Sequence, residues 1–290
     1  MSKADRFFRR AERLLKRIED MLPSERDTAN LEEGVAWRWR TGGGNARLEP
    51  ITRFNQITLE DLLHVERQKD ALVRNTEQFL AGVPANNALL WGPRGTGKSS
   101  LVKALLNDFS AQGLRLIEVD RLDLVDLPEI IDHIEYSERR YVIYCDDLSF
   151  DENDATYRAL KTVLDGSVLE TPDNIVIYAT SNRRHLVPER QSDNADTRVG
   201  DGELHHGEAV EEKISLSERF GLWLSFHPLN QERYLDIVEH WLKSLGTSQK
   251  DQESMRKAAL EWALLHGSRS GRTAYQFARD WTGREALAAK

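Results

Sequence analysis

A single cysteine, Cys145, is all that the 290 residues contain, so no internal disulfide can form, as suits a reducing compartment. Glycine and proline are sparse at 18 and 8 residues, which excludes a collagen-like chain, and the 40% hydrophobic content excludes a wholly disordered one. Long apolar runs are missing too. Runs such as Tyr141 to Cys145 are the longest kind present, far short of the ~20 residues a membrane span needs. The N-terminal residues MSKADRFFRRAERLLKRIED carry scattered charges and lack the unbroken apolar stretch of a signal peptide. A cytoplasmic protein without membrane contact is the expectation. Positive charge is not in excess: 40 Lys and Arg stand against 48 Asp and Glu, a net −8. That argues against a surface-wide polyanion binder and leaves room for a local basic patch.

What is present falls into three stretches. Residues 1–48 read as a helical extension and linker, 49–228 as an α/β core and 229–290 as a helical lid. Within the first, Phe7, Phe8, Leu14, Leu15 and Ile18 recur at helical spacing, predicting an amphipathic helix over Ala4–Met21. Seven bases against two acids up to Ile18 make it basic. It reads as a helix docked on the acidic body or as a tether to a partner. A second short helix is expected over Asn30–Arg38, and Thr41-Gly42-Gly43-Gly44-Asn45 reads as a flexible domain boundary. Helical pattern resumes from Thr58 to Gly82.

Beyond Gly82 the chain alternates short apolar runs with helical stretches. The runs are Ala88–Trp91, Arg115–Val119, Tyr141–Cys145 and Asn174–Ala179; the helices are Ser99–Gln112, Leu127–Glu135 and Asp154–Leu164. Continuous apolar runs suit strands covered on both faces, so the expected fold class is α/β, a doubly wound parallel sheet with crossover helices. Such a sheet places ligands beyond the carboxyl ends of its strands.

Immediately after the first run comes Gly92-Pro93-Arg94-Gly95-Thr96-Gly97-Lys98-Ser99, followed by Ser100. It satisfies the G-x-x-x-x-G-K-[ST] pattern in full. The glycines let the backbone turn amide N–H groups toward phosphates; Lys98 supplies charge and Ser99 offers a hydroxyl to Mg²⁺. A phosphate loop needs a metal-holding carboxylate from a neighbouring strand. Tyr141–Cys145 ends in Asp146-Asp147, which assigns Mg²⁺ to Asp146 and the polarising of a water to Asp147. The next strand ends in Asn182, an uncharged amide able to hold that water or the terminal phosphate without competing for the metal. No N-K-x-D guanine-reading element is evident, which disfavours GTP. ATP with Mg²⁺ is the expected ligand pair.

In this order, these elements resemble the AAA+ ATPase superfamily. GPRGTGKS is similar to its Walker A motif, YVIYCDD to Walker B and Asn182 to sensor 1. Leu216-Ser217-Glu218-Arg219-Phe220-Gly221 resembles the box that carries the arginine finger, which implies that role for Arg219. Ser270-Gly271-Arg272-Thr273-Ala274 resembles the sensor 2 region, with Arg272 reaching back to the nucleotide, and Asp61 to Glu66 the wall of the adenine pocket. The wider wording, including YATSNRRHL, GEAVEEKISLSERFGLWLSF and SGRTAYQFARDW, resembles the bacterial domain-of-unknown-function family 815 over roughly Arg38 to Trp281.

Two departures from the superfamily stand out. Its usual Asp-Glu is Asp146-Asp147 here, a carboxylate one methylene shorter, which makes slow hydrolysis a live expectation and also resembles the helicase-loader branch. About two dozen polar residues, Val187 to Glu212, separate sensor 1 from Arg219 and read as an insertion that touches a client or neighbouring subunit. His205-His206 within it is weak evidence for a metal. Two readings follow. One is an ATP-hydrolysing remodeller of a protein client, with a homo-oligomer through Arg219; the other is a slow, nucleotide-gated loader acting on a nucleic-acid-bound partner. An alternative local role for Arg219 is an ion pair with Glu211 or Glu212.

Overall fold

The computed structural model describes residues 31, 34–41, 46–54, 56–150, 155–165, 172–184, 186, 198–200, 203–205, 216, 218–247 and 251–288. The four expected runs are strands: β3 (Ala88–Trp91), β4 (Leu114–Glu118), β5 (Arg140–Cys145) and β6 (Ile175–Ser181). Three further strands join them, β1 (Ala36–Arg40), β2 (Arg47–Pro50) and β9 (Leu222–Ser225), in the order β2-β1-β4-β5-β6-β3-β9. All pairings are parallel except the antiparallel β1–β2 pair. A separate two-stranded hairpin, β7 (Arg198–Gly200) and β8 (Glu203–His205), lies within the expected insertion. The rest of Val187–Glu212, including His206, lies outside the described residues.

Burial on both faces explains why the strands read as unbroken apolar runs. Along β5, Tyr141, Ile143 and Cys145 enter one core while Val142 and Tyr144 enter the other. The first core is closed by α3 (Leu127–Ile134) and α4 (Ala155–Asp165) through Ile130, Ile134 and Leu160. The second is closed by α1 (Glu66–Leu80) and α2 (Lys98–Phe109) through Leu72, Phe79, Leu101 and Leu105. A third core belongs to the lid: α5 (Gln231–Ser244), α6 (Gln252–Leu265) and α7 (Gly271–Ala288) pack Tyr234, Val238, Met255 and Phe277 together. Asn230 and Asp251 cap α5 and α6, their side chains accepting from the N–H groups of Arg233 and Ser254.

Several expectations are corrected. The helix expected over Asn30–Arg38 does not extend to its C-terminal part: Leu31 is helical, but Ala36 to Arg40 is strand β1, and the reason is its period of two. Trp37 and Trp39 point into the first core with no exposed surface, while Ala36 faces the second. The boundary at residue 48 therefore falls inside β2, and the Gly-rich segment joins two antiparallel strands of the core sheet rather than two domains. The Thr58–Gly82 helix is interrupted: Leu59–Asp61 is a 3₁₀ turn, and α1 starts only at Glu66. Between them His64 takes a left-handed φ of 63°, which an uninterrupted helix forbids. The basic segment Ala4–Met21 lies outside the described residues. No helix among the described residues is long and apolar enough to cross a membrane.

If β1 is an integral strand, Trp37→Ala costs about 3–5 kcal/mol of stability, as for a large buried aromatic. Urea denaturation reads it directly; a loss near zero would mean that this segment is a linker after all.

Candidate functional site

The loop after β3 owes its shape to glycine at two positions. Gly92 has φ +140°, and a Cβ there would lie 2.2 Å from the carbonyl oxygen of Phe226 at the end of β9. Gly95 has φ +76°, and a Cβ would meet Ser270 just before α7. The loop is thus wedged between the sheet and the lid, and the Gly271 N–H donates to Gly95 O at 2.8 Å.

Lys98, first residue of α2, is 6% exposed. Its Nζ donates to Gly92 O (2.6 Å), Pro93 O (2.8 Å) and Asn182 Oδ1 (3.2 Å). Burial pushes this ammonium below its ordinary pKa; Asp146 and Asp147 pull it back, and Arg94 and Arg272 add to the depression. Five charges from four elements of the chain therefore converge on one loop.

Ser99 Oγ donates to Asp146 Oδ1 at 2.8 Å, and Thr180 Oγ1 donates to the same oxygen at 2.5 Å. Burial alone would raise the Asp146 pKa, but the hydroxyls of Thr180 and Ser99, with Tyr144 and Lys103, outweigh it and hold the carboxyl below the usual carboxylate range. A serine hydroxyl beside an ionised carboxylate is an oxygen donor pair of the hard kind Mg²⁺ prefers, so the residues fit that ion. Asp147 has a left-handed φ of 53°, which Asp tolerates better than most residues. Its N–H donates to Thr180 Oγ1 at 2.9 Å. Its carboxylate accepts from Asn182 Nδ2 and pairs with Arg94 at 3.3 Å. Thr180 thus bridges both aspartates from the neighbouring strand.

Beside this polar cluster is a cavity of about 440 Å³, a size that suits a small-molecule ligand. Gly95 to Ser100, Lys103 and Asp146 supply much of its polar lining. Ile57, Leu62, Val65, Leu229, Ile237 and Trp241 supply its apolar lining, and Arg272 and Tyr275 line it from α7. Of the expected adenine wall, Asp61, Leu62, Leu63 and Val65 line the cavity; His64 and Glu66 do not. Gly92, Pro93, Arg94, Asp147 and Asn182 lie at the loop but outside the cavity lining. Arg219 is elsewhere too, ion-paired with Asp165 at the end of α4. The alternative partners Glu211 and Glu212 lie outside the described residues.

Residues not singled out from sequence also help to form the site. Thr180 ends the apolar run of β6, where its register opposite Leu90 places it beside the Gly92–Ser99 loop. Trp241 and Tyr275 meet edge to face, ring centroids 4.8 Å apart. Each belongs to the apolar stripe of a helix, a pattern that reads equally well as lid core. No cluster of three or more metal-binding side chains exists among the described residues.

With this geometry in place, comparison with known proteins is informative. The family model described as "Protein of unknown function (DUF815)" matches residues 32–285. The replication factor C large subunit of Ignicoccus hospitalis is 35% identical over 68 residues, 23% of this chain and only 14% of that relative. Among solved structures, a RuvB variant from Thermotoga maritima superposes with a TM-score of 0.54 at 14% identity, covering 81% of this chain and 67% of that one. The replication initiator DnaA bound to AMPPCP and single-stranded DNA gives 0.50 at 19% identity, covering 78% and 65%. At these identities the likeness establishes the fold alone, a mostly parallel α/β sheet followed by C-terminal helices.

Thr180→Val would leave the Asp146 carboxylate, on an exposed residue, short of one hydroxyl donor. The expected loss is about 0.5–1.5 kcal/mol near neutral pH. Because the folded-state pKa of Asp146 is depressed, its contribution is present above the unfolded carboxylate value of ~3.9 and is lost as pH falls through the folded value. The gap between variant and parent in urea denaturation should therefore narrow in acid; a pH-independent gap would contradict this account of Asp146.

Proposed function

The chain belongs to the DUF815 family, whose description records no activity, and from the geometry of its site we propose that it binds ATP with Mg²⁺ and hydrolyses it to drive a change in a protein client. One observation carries the reading. Lys98, Ser99 and Asp146 line one cavity together with apolar side chains, among them Ile57, Leu62 and Val65 and, from the C-terminal helices, Ile237 and Trp241. A nucleotide combines the same two characters, charged phosphates and an apolar base.

The roles follow from position. The loop N–H groups and the N-terminus of α2 face the phosphates, and Lys98 exchanges its carbonyl partners for phosphate oxygens. Ser99 and Asp146 hold Mg²⁺, which neutralises phosphate charge when bound. Asp147 takes the proton of the attacking water, Asn182 orients that water, and Arg272 brings a positive charge from α7 toward the terminal phosphate. Arg219 serves the same phosphate of a neighbouring subunit in a homo-oligomer, a role that requires it to leave Asp165.

A second reading has its own observation. The Asp147 carboxylate already accepts from Asn182 and faces Arg94, so it must be freed before it can act as a base. That favours a slow, nucleotide-gated switch, and the DNA named with the DnaA structure makes a nucleic-acid-bound partner the class to test. A salt titration of single-stranded DNA binding separates the two, since phosphate contacts weaken steeply with salt.

Lys98→Ala should weaken ATP binding sharply with the fold intact, as read by calorimetry and circular dichroism; undiminished affinity would remove the phosphate-loop assignment. Asp147→Asn should bind and retain ATP while turnover falls roughly 10²–10⁴-fold. Equal turnover in the two proteins would make Asp147 structural. If Arg219 acts between subunits, specific activity rises with protein concentration, and mixing inactive Arg219→Ala with inactive Lys98→Ala restores part of it. Activity flat on dilution with a dead mixture would indicate a monomer.

A further inference from the structure

The segment between the 3₁₀ turn and α1 does more than wall the cavity. Leu62 and Val65 pack into the core shared with α1 and α2, whereas Leu63 packs against the lid cluster. The stretch of five residues from Asp61 to Val65 also includes His64 and, as the last residue of the turn, Asp61 itself. Facing it, α5 carries Asp236 and His240, four apart and so on one side of the helix. The pairs cross: His240 Nε2 is hydrogen-bonded to Asp61 Oδ1 at 2.9 Å, and His64 Nε2 lies 2.9 Å from Asp236 Oδ2 without the alignment of a hydrogen bond. Each strip thus offers one imidazole and one carboxylate to its complement on the other.

Both pairs are partly shielded, with side-chain exposures of 27% and 17% for His240 and Asp61, and 26% and 48% for His64 and Asp236. Asp61 is further fixed by the N–H (2.8 Å) and hydroxyl (3.0 Å) of Thr58, the capping box of the 3₁₀ turn. His64 is presented by its left-handed backbone, and its own N–H donates to Glu66 Oε1 at 2.9 Å. Next to His240 in sequence is Trp241, which lines the cavity and meets Tyr275 of α7. Asp61 lines the cavity directly.

We propose that Asp61, His64, Asp236 and His240 form a crossed clasp that positions the lid over the cavity, setting how long a nucleotide stays. They are positioning residues: they act through Trp241, Tyr275 and Arg272, the lid side chains that reach the cavity. A single exposed ion pair holds little. Two pairs crossed at one junction oppose both sliding and tilting of α5 against the segment, since a shift that relieves one strains the other. The inference rests on the nucleotide reading for its consequence and on the two contacts alone for its structure.

Reversing one pair tests it. His64 sits in a backbone region that Asp accepts readily, so His64→Asp keeps the turn and sets two carboxylates face to face. In the full chain, release of a fluorescent ATP analogue should then accelerate roughly threefold to tenfold, the loss of the His64–Asp236 contact plus a new repulsion. The double variant His64→Asp/Asp236→His, with the pair restored in reverse, should return to within about 1.5-fold of the parent. Asp236→Asn, a milder break for use if the single reversal does not fold, should accelerate release about twofold. Hydrogen exchange of α5 in the nucleotide-free chain should follow the same order: faster in His64→Asp and in Asp236→Asn, restored in the double variant. Release and exchange unchanged in the broken variants, or a double variant as fast as the single, would overturn the clasp. If the parent binds no ATP, the nucleotide reading fails, and exchange still decides the clasp.

Discussion

A buried ammonium has to be solvated by the protein around it, and in this fold Lys98 imposes that demand on three regions at once. Two of its partners are backbone carbonyls of the loop it belongs to, and the third is the amide of Asn182 at the tip of β6. Meeting the demand dictates the turn at Gly92, the approach of β6 and the placement of Asp146 and Asp147, whose charges offset the cost of burial. A cation that holds its own loop closed in this way is also poised to release it when a better acceptor arrives. Phosphate oxygens are better acceptors than carbonyls for an ammonium, because the hydrogen bond becomes charge-assisted on both sides.

The same logic extends outward through the lid. Gly271 is hydrogen-bonded to Gly95, and Ser270 blocks any side chain at that glycine. α7 therefore begins on the phosphate loop itself, and a change in loop conformation has to move α7 or break that contact. At the other end of the cavity the lid is held through the segment Asp61–Val65, whose leucines divide between core and lid. The cavity thus lies between two fastenings, one made by the loop and one by the segment, and motion of the lid is motion relative to both.

Much of this was legible in the sequence because its signals are local. The Gly92–Ser99 loop sits in eight consecutive residues, and β5 and β6 are apolar runs with acids or an amide just past their tips. What escaped was non-local or carried two signals at once. Ala36 to Arg40 has the alternation of a strand, but the Gly-rich stretch after it reads as a linker, and only pairing with β4 and β2 reveals its place. Thr180 is the first of three polar residues that close an apolar run; its importance comes from register. Arg219 carries a motif-level role, yet its partner Asp165 is 54 positions away on another element, and no spacing rule finds it. The crossed histidines are 176 positions apart (240 − 64), each unremarkable in its own segment.

The central claim is that the Gly92–Ser99 loop is a nucleotide site and that Lys98 takes phosphate oxygens as its partners when a nucleotide binds. A crystal structure of the full chain with Mg²⁺ and a non-hydrolysable ATP analogue addresses it without inference from rates. The account predicts Lys98 Nζ on phosphate oxygens and away from Gly92 O and Pro93 O, with the ion held by Ser99 and Asp146 and the base between the Asp61–Val65 segment and Trp241. A complex in which Lys98 keeps its carbonyl partners, or in which the analogue lies outside this cavity, would contradict it.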